Sequence, residues 1–348
     1  MFSFRYWLIG ALGSILLVCI INFIVDPMLF FRLPAKGKEL YYPEAQRYQV
    51  PGIARNYLFD GVIIGSSLSE NFSTNQLKEH LGINFVNLSI SGSSSKEQAY
   101  ILELALARGN VKHVLWMLNW ESFAHAPEYI PLDVGWPQNI YEKPLLAIFK
   151  YYLANSDMFK KSMTLLFSKK NMNRSVNMDT AWNWNKKFTF GCDSVITSVT
   201  MRKSNPIYEM AKKGLIKFSY SQISKNVDKN LLRIIQDNPT IHFDLVLPPY
   251  SKWAYIKNNQ FDNLFLEANL NFREKIRNDI QSISNVSLYD YQSDAQIILN
   301  ANNYKDVIHF SQEISNQIID EIVSSKERPL IANYALLNVL KRPGNCLD

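Results

Sequence analysis

The chain has 348 residues, 47% hydrophobic and 20% charged, which supplies a large core and excludes a disordered or low-complexity protein. Its 37 Lys and Arg against 31 Asp and Glu leave a formal charge of +6, too dilute over this length to make a nucleic-acid surface. The three cysteines, Cys19, Cys192 and Cys346, lack metal-ligand spacing and exclude a zinc ribbon or a disulfide scaffold, although Cys192 and Cys346 can bridge in an oxidising compartment.

Tyr6 to Val25 carries no charge over twenty positions. As a helix this stretch would rise about 30 Å, the thickness of a hydrocarbon core. Asn22-Phe-Ile-Val-Asp26-Pro27 offers no small-residue cleavage pair, so the reading is an uncleaved anchor rather than a signal peptide. Cys19 follows the bulky Val18, a poor neighbour for lipoprotein processing, and reads as an inert thiol. Arg5 precedes the span and Arg32, Lys36 and Lys38 follow it, a count that does not favour export. A large domain nevertheless translocates largely regardless of a few flanking charges. The expectation is a single-pass membrane protein whose globular part lies outside the cytoplasm, in a periplasm or at the cell surface. Residues 1–30 are then the anchor, 31–330 the globular domain and 331–348 a tail.

Short apolar runs rich in β-branched residues predict buried strands at Gly61–Ile64, Phe85–Ile90, His113–Leu118 and His242–Leu247, with a weaker fifth at Val286–Tyr289. Helical spacing predicts helices at Asn75–His80, Lys96–Arg108, Phe261–Ile283 and Ser311–Ser324. The alternation implies an α/β fold: three α/β/α layers around a mainly parallel, five-stranded sheet. From Ala124 to about Ile235 the alternation stops and the text turns aromatic, basic and loop-rich. This segment reads as an insertion serving as an acceptor or partner surface beside the strand ends. Trp136, Tyr141, Trp182 and Trp184 are its candidate stacking rings, although core packing of at least one Trp competes; Lys160, Lys161, Lys169, Lys170 and Arg174 are its candidate anion contacts.

The residues able to carry chemistry fall at strand ends, where open α/β sheets gather ligands. After the first strand comes Gly65-Ser66-Ser67-Leu68-Ser69-Glu70. Ser67 is a candidate nucleophile, but Ser67 with Glu70 also fits a capping box, which is the stronger reading of this stretch alone. After the second strand, Gly92 is either an oxyanion donor through its N–H or a turn glycine, with Ser94 and Glu97 as another capping box. After the third, Asn119 is either an amide donor to the same oxyanion or a helix cap. Near the end, Asp306 stands three residues before His309, a spacing that lets the carboxylate hold one imidazole nitrogen while the other faces a serine. A lone His near a helix start is more often structural; it is the ordered set that points to chemistry.

That ordered set resembles the SGNH, or GDSL-like, hydrolase superfamily over residues 58 to 325 apart from the insertion. On that resemblance Ser67 falls on the nucleophile, Gly92 and Asn119 on the oxyanion positions, and Asp306 with His309 on the Asp-x-x-His pair. Ser66 replaces the Asp that precedes the nucleophile in the best-known members, and Asn119 lacks that block's flanking Gly and Asp. With its anchor, the chain looks most like membrane-bound relatives in teichoic-acid D-alanylation and in alginate or capsule O-acetylation, which work beside a membrane-bound O-acyltransferase. The resemblance implies a serine acyl-ester hydrolase or O-acyltransferase acting on a cell-envelope polysaccharide, with no cofactor or metal in the reaction. The competing expectation is a non-catalytic binding or scaffold component of an envelope polysaccharide assembly.

Overall fold

The computed structural model describes residues 2–33, 41–131, 146, 148–167, 177–201, 219–257, 260–261, 263–280 and 282–346. By internal contacts the chain divides into two compact units, Met1–Tyr57 with Pro131–Ala181 and Leu58–Ile130 with Trp182–Asp348.

The first unit is built on the helix Phe2–Val25. Its Phe4–Val25 stretch is long and apolar enough to cross a membrane, and only 11% of its most apolar window is buried, unlike the core helix of a soluble protein. Cys19 lies buried and unbridged on it. The helix end is organised by buried polar groups. The Asp26 carboxylate accepts the N–H groups of Phe30, Phe31 and Arg32 at 2.8–3.0 Å, and the Tyr152 hydroxyl donates to it at 2.6 Å. The Asn22 amide donates to the carbonyls of Tyr152, Leu153 and Asn155, while Ser162, on the helix Ser156–Phe167, donates to the Asn22 oxygen. Buried this way, each polar group is satisfied, as an apolar setting demands.

The second unit holds a five-stranded, all-parallel sheet in the order β2-β1-β3-β4-β7. Its strands are β1 (Gly61–Ile64), β2 (Phe85–Asn87), β3 (His113–Met117), β4 (His242–Leu247) and β7 (Val286–Asp290). Between β4 and β7 the short β5 (Ile256–Lys257) and β6 (Gln260–Phe261) form a separate antiparallel ladder. Apart from β7, whose first three residues are only half-buried, the strands are near-continuous buried runs rich in Val, Ile, Leu and aromatic residues, the composition of a sheet covered on both faces. The path leaves β1 toward β2 and then returns past β1 to β3, so right-handed crossovers put the helices on opposite faces. Thr74–Leu81 packs with the closing helix Gln312–Val323, and Ser95–Leu106 packs with the helical segment that runs into β4. This is the expected three-layer arrangement.

Two local readings change. The second strand ends at Asn87, whose side chain accepts from Ser89 N–H and donates to the carbonyls of Ser69 and Phe72, while the N–H groups of Leu88 and Ile90 still donate to the carbonyls of Ile63 and Gly65. The late part of the expected loop-rich segment is helical: Tyr220–Val227 continues through a π turn, Asp228–Leu232, into Arg233–Asp237. Its buried face mixes Ile223, Val227 and Leu231 with Asn226 and Asn230, which blurs the apolar period in the text. Those asparagines bind Ser95 and the carbonyls of His125 and Pro127. The segment read as one insertion, 124–235, is thus shared, residues 131–181 belonging to the first unit and 124–130 with 182–235 to the second.

Candidate functional site

β1 delivers Ser67 to the carboxyl edge of the sheet through a tight approach. A Cβ at Gly65 would collide with Ser69 Oγ and touch the Met117 side chain, so only glycine fits there. A single 3-10 turn, Ser67–Ser69, follows, and its cap is Ser66 rather than Ser67: the Ser66 hydroxyl accepts from Leu68 N–H. The capping role expected of Ser67 is therefore taken by its neighbour. Ser67 Oγ lies 2.7 Å from His309 Nε2 instead.

His309 sits in a tight loop between the last strand and the closing helix. Tyr304 and Phe310 bridge across the loop, and Lys305 N–H donates to the His309 carbonyl. The Asp306 carboxylate both ties the turn and orients the ring. Its Oδ1 accepts the N–H groups of Ile308 and His309 at 2.9 and 2.8 Å, and its Oδ2 lies 2.7 Å from His309 Nδ1. Burial alone would raise the Asp306 carboxyl, but hydrogen bonding to His309 and the electrostatic attraction of His309 and Lys305 reverse this and hold it well below the usual carboxylate range. An ionised Asp306 keeps the proton on Nδ1, which turns the Nε2 lone pair to the serine. From the far side, Ser251 just after β4 donates to the Val307 carbonyl at 2.7 Å, and Tyr304 donates to the Pro249 carbonyl. The Cys192–Cys346 disulfide, with Cα atoms 5.6 Å apart, fixes the neighbouring chain; Gly191, beside Cys192, donates its N–H to the Tyr304 carbonyl.

Gly92 occupies the turn after β2 with φ +61°, the left-handed region that favours glycine. The expected capping box is present beside it, Ser94 accepting from Glu97 N–H and Glu97 accepting from Ser94 N–H. This turn is fastened to the Ser67 loop, because Ile90 N–H and Ser93 Oγ both donate to the Gly65 carbonyl at 3.1 Å. Asn119 follows β3, is nearly buried, and caps no helix with its side chain. Its Oδ1 lies 3.1 Å from Ser122 Oγ. The single Ser122 hydroxyl proton goes to the Ser93 carbonyl at 2.6 Å, and the Gln98 amide donates to both Ser93 and Ser122. Ser93, Gln98 and Ser122 thus lock three strand-end loops together. Isolated serines and a glutamine on a helix carry no local signal in the sequence.

The indoles read as stacking rings are buried, Trp182 at 2% and Trp184 at 8% exposure, so neither offers an open face to a sugar as placed. Trp184 instead supports the site. Its Nε1 donates to the Ser67 carbonyl at 3.1 Å, and its ring meets His309 edge-on at 5.4 Å. Lys305 Nζ lies 4.6 Å from the Trp184 ring centroid, 4.1 Å from that of Phe188, and 3.4 Å from Asp306 Oδ2. Asn71, Asn183, Asn185 and Gln312 bond this segment to the start of the closing helix. Of the expected anion contacts, Lys160 pairs with Asp157 and Lys161 with Glu44, both within the first unit. Trp136, Tyr141, Lys169, Lys170 and Arg174 lie outside the described residues.

Together these groups make a serine hydroxyl activated by an oriented imidazole, ringed by turns that can supply backbone and amide N–H donors. No family model and no curated protein matches the chain. Among solved structures, one described as a candidate platelet activating factor from Streptococcus pneumonia is similar over 82% of this chain and 92% of its own, at 11% identity and a TM-score of 0.41.

Proposed function

We propose that this chain is a membrane-anchored, extracytoplasmic serine acyl-ester hydrolase or O-acyltransferase of the SGNH kind, with a cell-envelope polysaccharide as its substrate class. The observation that carries the reading is the line of bonds from Ser67 Oγ through His309 to Asp306 at the carboxyl edge of a parallel sheet. A scaffold component has no need of a serine held 2.7 Å from a carboxylate-oriented imidazole. The Cys192–Cys346 bridge supports an oxidising compartment and therefore the extracytoplasmic placement.

The chemistry runs as acyl transfer through Ser67. His309 Nε2 takes the Ser67 proton as Oγ attacks the ester carbonyl carbon, and the negative charge gathers on the former carbonyl oxygen. The N–H groups of Ser67 and Gly92 and the Asn119 amide are the donors assigned to that oxygen. Collapse breaks the ester C–O bond, and His309 returns its proton to the leaving alcohol. The acyl-serine is then opened by water in a hydrolase or by a sugar hydroxyl in a transferase, His309 taking the attacking proton and returning it to Ser67 Oγ as the acyl C–Oγ bond breaks. A membrane-bound O-acyltransferase is the partner expected to supply the acyl group in the second case.

Labelling with a serine-directed fluorophosphonate tests the reading. Covalent labelling that disappears in Ser67→Ala and in His309→Ala is the expected result. Labelling that persists in Ser67→Ala, or full ester turnover by that variant, rejects the assignment, and a folded wild-type chain that neither labels nor turns over any acyl ester favours the scaffold reading.

A further inference from the structure

A second convergence of ionisable side chains lies at the opposite, amino edge of the same sheet. His113 opens β3 and His242 opens β4, and the register makes them Cα partners on adjacent strands. Asp244 follows His242 by two residues, so strand alternation puts all three on one face. His242 Nε2 lies 3.0 Å from Asp244 Oδ1, and His113 Nε2 contacts Asp244 Oδ2. The two imidazoles stand edge to face with centroids 4.9 Å apart. Both thus turn the same nitrogen toward one carboxylate that is only 2% exposed.

We propose that His113, His242 and Asp244 form a binding site for a borderline divalent transition cation, Zn²⁺ being the representative ion. Two imidazoles and one carboxylate are a donor set suited to Zn²⁺ and its first-row neighbours rather than to Ca²⁺ or Mg²⁺, which want more oxygens. Zn²⁺ holds such atoms at about 2.0–2.2 Å, so tetrahedral ligands stand roughly 3.3–3.5 Å from one another. The donor atoms here all lie within 4.8 Å of each other, with one pair at 3.0 Å, so small side-chain rotations bring them to that spacing. Strand backbones hold the three ligands in place, a firmer base than loops. His242 is 43% exposed and gives an ion its entry from solvent. Glu327, bonded by Ser287 on the strand beside Asp244, adds a second negative charge that acts on His242. Coordination transfers the Nε2 proton of each neutral imidazole to Nδ1, and any extra proton on a histidine is released. The bound ion clamps the entrance of β3 to that of β4, and three protein ligands leave a fourth position for water. Nothing in this site touches Ser67, so it is independent of the acyl chemistry.

The test uses tag-free, full-length chain in detergent, stripped with EDTA and titrated calorimetrically with Zn²⁺ at about pH 7.5. One equivalent per chain at micromolar affinity or tighter is expected, weakened about tenfold or more in His113→Gln and in His242→Gln. Co²⁺ added to the wild-type chain should give paramagnetically shifted imidazole N–H resonances from two histidines, a readout that needs no variant to fold. Less than half an equivalent of Zn²⁺, the same affinity in folded His113→Gln and His242→Gln, Mg²⁺ binding as tightly as Zn²⁺, or Co²⁺ spectra without histidine signals would each overturn the site.

Discussion

Two Asp–His arrangements occupy opposite edges of one sheet, and their difference shows what makes a carboxylate–imidazole pair able to act on a substrate. At the carboxyl edge, Asp306 and His309 lie three residues apart in one loop, and the second imidazole nitrogen faces a serine hydroxyl. At the amino edge, two histidines from neighbouring strands spend the same nitrogen on one buried carboxylate. The first arrangement leaves a proton acceptor aimed at a nucleophile; the second closes on itself. The loops after β1, β2 and β3 meet at the carboxyl edge, so turn N–H groups gather there, whereas the entrances of β3 and β4 are held in register by backbone bonds.

The widest separation of the two edges is expected from removing charge at each. Asp306→Asn should lower ester turnover by about a thousandfold to ten-thousandfold, because the amide no longer holds the imidazole in the useful tautomer. Single-turnover kinetics on an activated ester reads this directly. Asp244→Asn should register in thermal unfolding, where altering the shared acceptor costs about 1–3 kcal/mol.

Asn119→Ala sharpens the carboxyl edge further. If its amide meets the developing oxyanion, kcat should fall about a hundredfold or more with little change in KM. An equal loss from Ser122→Ala, which removes the hydroxyl beside the Asn119 oxygen, would place part of that effect in positioning.

Trp184→Phe retains a ring against His309 while deleting the bond to the Ser67 carbonyl. One neutral hydrogen bond is worth about 0.5–1.5 kcal/mol, so turnover should fall by roughly tenfold at most.

The smallest effect is the pH dependence of stability. Hydrogen bonding to Asp244 raises His242, burial opposing and the charges of Asp244 and Glu327 assisting, so its contribution is whole below about pH 6.5 and is lost as pH rises through the folded value. Burial would raise Asp244, but bonds from His113 and His242 reverse it, so its contribution is whole above about pH 3.9 and is lost as pH falls through its folded value. Glu327 also acts on His242, and the charges of Asp244 and Glu327 in turn raise Tyr289. Melting temperatures should therefore be highest between about pH 4 and 6.5 for this contribution, and His242→Gln should flatten the decline above that range. A variant that retains the full decline would assign it to other groups.

Much of this molecule is written locally. The apolar runs at 61–64, 113–117 and 242–247 are buried on both faces, so strand period and composition announce them without help from the rest of the chain. The Asp306–His309 pair is equally local, one turn of chain holding both partners. The Phe4–Val25 helix follows from length and hydropathy alone. Tertiary structure decided what no window of sequence contains. It moved the cap from Ser67 to Ser66, which freed the serine for His309 from 242 residues away. It buried Trp184 against that pair and recruited Ser93, Gln98 and Ser122 to join three loops. It also joined His113 to Asp244 across 131 residues, a pairing made by strand register. The physical reason is the same in each case: propensity and burial act over a few residues, whereas a hydrogen-bonding side chain takes whichever partner the packed elements bring within about 3 Å.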